Sequence, residues 1–222
     1  RIHGPYRDIE ILATPDFENF GFSGFVFGKS QTVMTYRQKR LYFDEVVTTR
    51  KLGSLTGSGW IDYSSSPLLS YADIDINGVE ASELLQSARA MPSFSERISG
   101  IVSGHASFAG PLLAPVGSID LVSTDILMDR VSFGPSSLRI DLGYGDGSTT
   151  QMSFSAQPQK GRLNTLISIS PPTEQNDKPI YGISVFSDKL SLSLIDPLLG
   201  GLGFDGQMSG LITLGGRAGE LG

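Results

Sequence analysis

Three stretches of the 222-residue chain carry residue types at spacings that could do chemistry. Gly24-Phe-Val-Phe-Gly-Lys-Ser30 has the ending of a phosphate-binding loop but is one residue short of the required spacing, and Phe25, Val26 and Phe27 read as strand. Gly201-Leu-Gly-Phe-Asp-Gly206 fits G-x-G-x-x-G, yet a proline-containing turn precedes it and an alternating strand follows. A dinucleotide site needs the reverse order, strand then helix. Asp73-Ile-Asp-Ile-Asn-Gly78 supplies the first half of a calcium loop. Position 12 is then Leu84, with Glu83 one place early. Tyr71 to Ile76 alternates as a strand, so Asp73 and Asp75 are expected on its wet face. The two histidines, His3 and His105, leave little for metal ligation or acid–base work. His105 reads as an ordinary polar-face residue. No cysteine is present, which removes thiol nucleophiles, disulfides and Cys-type metal sites. No Ser/His/Asp or paired-carboxylate arrangement stands out. The expectation is a non-enzyme with no cofactor and no metal.

The elements that would carry these residues are those of a β-rich chain. Glycine is abundant at 27 residues, and hydrophobic and charged residues stand at 39% and 18%, both below common values. A net charge of −6 and a pI near 4.9 argue against a nucleic-acid surface. The N-terminus, Arg1-Ile-His-Gly-Pro-Tyr-Arg-Asp8, has no apolar signal core. The uncharged run from Ile98 to Ile119 is long enough for a span, but its four glycines, two prolines and His105 spoil that reading. The Gly100-x-x-x-Gly104 spacing within it lacks the apolar surround of a membrane dimer motif. Both ends break off abruptly, as in a piece of a longer chain.

Period-2 alternation dominates. Leu190-Ser-Leu-Ser-Leu-Ile195 is the clearest run. Others are Thr32–Arg37, Ser118–Val122, Leu138–Leu142, Gln151–Ala156 and Leu166–Ser170. Apolar residues take one face, and Ser, Thr, Asp and Arg take the other. The spacing predicts an all-β fold of about a dozen strands, in a long curved antiparallel sheet. A closed β-sandwich is the alternative. One short helix is expected over Val79–Ala90, stopped by Pro92, and a single turn over Asp196–Gly200.

The glycines repeat. Gly100-Ile-Val-Ser-Gly104 with Gly110 matches Gly206-Gln-Met-Ser-Gly210 with Gly216 at an offset of 106, and Gly53-Ser-Leu-Thr-Gly57 is a looser copy. A leucine-bearing turn, Leu84-Leu85 or Leu198-Leu199, precedes each good copy. The chain therefore reads as one elongated fragment, 1–222, of units near 53–97, 98–205 and a truncated 206–222.

The order Val79-Glu-Ala-Ser-Glu-Leu-Leu85, Ile98-Ser-Gly-Ile-Val-Ser-Gly-His-Ala-Ser-Phe-Ala-Gly-Pro111, then Leu113-Ala-Pro-Val-Gly-Ser-Ile-Asp-Leu121 resembles the repeat unit of the TamB/AsmA-like family. Gly100, Gly104, Gly110, Pro115 and Gly117 fall on that unit's pattern. Gly206, Gly210 and Gly216 match it in the second copy. Pro111 departs from it, standing where a small hydroxyl residue is usual. The resemblance implies a U-shaped β-groove ("β-taco") in the Gram-negative periplasm, within a cell-envelope protein anchored in the inner membrane. It implies phospholipid transport toward the outer membrane. It also implies a second role in the translocation and assembly module, as a scaffold that helps an outer-membrane barrel protein insert β-barrels.

The residues support a one-sided sheet independently, because an apolar face must be covered by something. If the sheet curls, a dozen strands at ~4.8 Å make a trough about 55–60 Å long. Acyl chains inside it would gain about 0.8 kcal/mol per buried CH₂. The candidate lipid-groove lining is Phe22, Phe27, Ile119, Leu121, Ile140, Leu142, Met152, Phe154, Ile167, Ile169, Leu190, Leu192 and Leu194. The expected partner is a phospholipid or other acyl-chain lipid, with an outer-membrane barrel protein as a second and nucleic acid excluded. A third reading is a closed sandwich in a surface protein, with calcium on Asp73 and Asp75.

Overall fold

The computed structural model describes residues 2–3, 10–22, 25–87, 95–129, 131–143, 149–172, 178–196 and 201–217. Most of them are in strands, β1 to β17, with two short helices among the described residues. Fourteen strands hydrogen-bond into one antiparallel sheet that does not close into a barrel, and three short strands pair as a separate small sheet. The all-β expectation holds. Most pairings join sequence neighbours, so the large sheet is a meander.

Two compact units divide the chain. The first holds 1–95 and 102–117. Its long strands are β4 (Phe25–Arg37), β5 (Arg40–Thr49), β6 (Ser54–Asp62), β7 (Leu69–Glu80) and β9 (Ile101–Pro111). The β4–β5 turn is Gln38-Lys39, with φ of 51° and 60°. Positive φ at both central residues is what a type I′ hairpin requires, here without its usual Asn-Gly. The second unit holds 96–101 and 118–222. Its main strands are β10 (Val116–Ser123) from Ser118 onward, β13 (Ser136–Gly143), β14 (Thr149–Ala156), β15 (Arg162–Ser170), β16 (Ile180–Ser191) and β17 (Gln207–Arg217). The short strands β8 (Ile98–Ser99), β11 (Leu127–Met128) and β12 (Val131–Ser132) form the small sheet.

The glycine repeat has a structural counterpart. β9 and β17 begin and end at the same offset of 106 residues. Each is preceded by a glycine with positive φ, Gly100 at 131° and Gly206 at 114°. Each follows a 12-residue strand that runs directly into a short helix: β7 into α1 (Ala81–Ser87), and β16 into α2 (Leu192–Ile195). Gly53, with φ of 78°, opens β6 in the same way, and a Cβ there would overlap the Asn77 carbonyl oxygen.

Two expectations need correction. Val79 belongs to β7, fully buried, and the helix starts only at Ala81. Leu192 and Leu194 are helical, because β16 stops at Ser191. The Leu192 N–H donates to Gly206 O at 3.0 Å, and the Asp196 N–H closes the turn on Leu192 O. The run Leu190–Ile195 fits either period, since Leu192 and Ile195 are also one helical turn apart. Tertiary bonding to Gly206 decided between them.

Candidate functional site

Direct cross-strand partners share a face, so the register fixes what each side of the second unit's sheet presents. One row runs Ile140, Met152, Ile167, Ile183, Leu214 across five strands without a polar interruption. A flanking row runs Leu138, Phe154, Thr165, Val185, Ile212. On the other flank Ile169 pairs with Tyr181, and Leu142 lies two residues beyond Ile140 on β13. The opposite face carries Arg139, Asp141, Gln151, Ser153, Ser168 and Ser184, with Leu166, Phe186 and Leu211 exposed among them. There Arg139 bridges Asp141 at 2.8 Å and Asp120 of β10 at 3.2 Å, which raises its already high pKa, the Asp141 hydrogen bond contributing most. Asp120 is thereby placed on the polar face, and its neighbours Ile119 and Leu121 turn to the apolar one.

The structure thus gathers Ile119, Leu121, Ile140, Leu142, Met152, Phe154, Ile167 and Ile169 onto one side. Leu190 joins them beyond a bulge in β16, opposite Met208. Phe22 and Phe27 lie in β3 (Asp16–Phe22) and β4, outside the residues whose side chains are described. Leu192 and Leu194 stand apart in α2. Sequence reasoning missed Leu138, Ile183, Val185, Ile212 and Leu214, although Tyr181-x-Ile183-x-Val185 alternates plainly.

Burial separates this face from an ordinary core. Leu190, Leu121, Ala156, Ile126 and Phe133 are buried, but the central row is only half-buried at Ile140, Met152, Ile167 and Ile183. Ile169 is 41% exposed and Leu214 57%.

The first unit repeats the two-sidedness. Met34, Phe43, Ala72 and Ile74 share a side with Leu55 and Ile76, both of which are buried. At one end of this side two hydroxyls are buried, and Ser30 Oγ and Thr48 Oγ1 satisfy each other at 2.5 Å. The other side carries an aromatic row, Tyr42, Trp60, Tyr71, with Arg37 over Tyr42 and Arg40 4.4 Å from the Trp60 centroid. Arg40 also binds Asp62 at 2.7 Å. The Ser64 hydroxyl first, then Arg40 and the Ser64 N–H, hold the Asp62 carboxyl at about 2.

His105 is more than a plain polar-face residue. Its Nδ1 lies 3.1 Å from Asp75 Oδ1 and its Nε2 3.4 Å from Asp73 Oδ2, tying β9 to β7. The Tyr71 hydroxyl donates to Asp73 Oδ2 at 3.1 Å, and that bond raises the phenol's pKa. The carboxylates a calcium reading would use are therefore already engaged. Among the described residues no group of three His, Asp or Glu could hold a metal ion. Among them, too, no helix is long and apolar enough to cross a membrane.

Fold and faces define an all-β meander; in the second unit the charges of Asp120, Arg139 and Asp141 lie on one side of the sheet, and the other side is apolar and partly uncovered. No family model, curated protein or solved structure matches the chain.

Proposed function

We propose that this chain is a segment of a bridge-like periplasmic protein of the TamB/AsmA-like kind, whose apolar sheet face carries phospholipid between the inner and outer membranes. The observation that carries this reading is the unbroken row Ile140, Met152, Ile167, Ile183, Leu214, left half-open instead of packed. Acyl chains laid across the strands would replace water along it. The row offers no polar group to hold a lipid at one point, so movement along it meets small barriers. The opposite face, with Arg139, Asp120 and Asp141, keeps the sheet wetted.

Organic extraction and native mass spectrometry of the purified chain test the proposal. Co-purified phospholipid, or uptake from vesicles, is the expected result. A chain that neither retains nor takes up lipid sinks it.

The second reading, a scaffold for outer-membrane β-barrel assembly, draws on β17. That strand is exposed along nearly all its length, and among the described residues it pairs only with β16. Photocrosslinkers on β17 should then capture client strands. Capture of lipid alone, at Ile167 or Ile183, favours the first reading.

A further inference from the structure

Among the described residues β17 pairs only with β16, and its other edge carries almost nothing to keep a further strand away. Charges, prolines or short length usually protect such an edge. β17 runs eleven residues, Gln207–Arg217, without a proline, an acidic residue or a lysine, and its single charge, Arg217, stands at the end. A second irregularity lies beside it. Leu166, Phe186 and Leu211 are exposed on the side of the sheet that carries Arg139 and Asp141. Phe186 pairs directly with Leu211, and Leu166 lies diagonal to Phe186 on β15. A contiguous apolar patch on a face that is otherwise polar marks a contact surface. This one reaches the β17 edge.

We infer that β17 pairs antiparallel with β17 of a second copy of this chain, across a two-fold axis through Ile212. Register selects this occupant. Ile212 is the midpoint of β17, so a pairing centred there engages the whole strand. Leu214 then lies opposite Gly210 of the second copy, Met208 opposite Gly216, Leu211 opposite Thr213 and Arg217 opposite Gln207. Large side chains meet small ones, and no like charges face each other. A foreign strand would meet the same backbone groups without this match. The axis stands normal to the sheet, so each face continues on its own side. On the apolar side Ile212 packs on its own copy. On the other side the two Leu211 side chains come together diagonally, within reach of long side chains, and the two patches merge into one. A strand of eleven residues at ~3.4 Å each, in a sheet ~10 Å thick, buries about 370 Å² per copy. That is the size of a weak, reversible contact, so the dimer should form and dissociate in the micromolar range.

Sedimentation velocity of the purified chain across the micromolar range tests this. A 23.8 kDa monomer in reversible equilibrium with its dimer is expected. Leu211→Lys removes the centre of the merged patch and sets two ammonium groups beside the axis. Leu211 is 67% exposed, so the fold should tolerate the change, and the dimer should weaken at least tenfold. The chain has no cysteine, so single cysteines report the register directly. Under mild oxidation Ile212→Cys should link to its own copy at least tenfold faster than Thr213→Cys or Leu214→Cys, because only position 212 faces itself. A chain that stays monomeric overturns the proposal. So does a dimer indifferent to Leu211→Lys, or one in which the three cysteines link equally fast. Assemblies that grow past the dimer overturn it as well, since they need head-to-tail pairing instead of a two-fold axis.

Discussion

Replacing Ile167 by asparagine separates a lipid-bearing face from an ordinary core. Ile167 sits at the centre of the apolar row, with Met152 on one side and Ile183 on the other, and it is only half-buried. An acyl chain crossing it would hide about 50–60 Å² of apolar surface, worth about 1.4 kcal/mol at ~25 cal/mol/Å². That corresponds to about a tenfold loss of lipid retention. An amide without a partner in a dry groove adds about 1 kcal/mol more. The stability cost should be below that of a fully buried position, because part of the side chain already meets water. Leu190→Ala is the contrast, since Leu190 is 1% exposed and its loss should cost about 2–5 kcal/mol by cavity formation. Retention of radiolabelled phospholipid and urea denaturation of both variants supply the two readouts. If Ile167→Asn costs as much stability as Leu190→Ala and leaves lipid retention unchanged, the row is packed core and the transport reading is wrong.

Further expectations concern the scaffold. Thr48→Val removes one of two partners of the buried Ser30 hydroxyl, which keeps the Gly28 carbonyl at 3.3 Å, and should cost about 1 kcal/mol; a double-mutant cycle with Ser30→Ala, followed by urea denaturation, measures the coupling. Gly53→Ala meets both a left-handed φ and the Asn77 carbonyl, so it should destabilise by more than about 2 kcal/mol and lower Tm. The Asp62 carboxyl, held at about 2 in the fold, contributes stability that is complete above its unfolded value near 4 and is lost as pH falls from there through about 2. Asp62→Asn should accordingly flatten that part of the acid limb when urea midpoints are compared between pH 2 and 6.

The strands were the legible part. Leu138–Leu142, Gln151–Ala156 and Leu166–Ser170 announce their faces by alternation, and β13, β14 and β15 contain them in phase. What alternation cannot carry is register and its interruptions. Glu45 and Lys189 take positive φ at bulges in β5 and β16, and neither residue type signals it. Gln38-Lys39 makes a hairpin turn without glycine or asparagine. His105 finds Asp75 thirty positions earlier in the chain, a meeting that depends on β9 lying beside β7. Gly57 and Gly59 look like weak points in a strand until the register puts apolar residues on both sides of them.

The meander has a kinetic consequence. From β4 to β7, and again from β13 to β17, each strand pairs with the one made just before it. Loop closures stay short, so the entropic barrier that slows most all-β proteins is divided into small steps. Such a chain can emerge unfolded from a narrow pore and zip up one hairpin at a time, long before its far end appears.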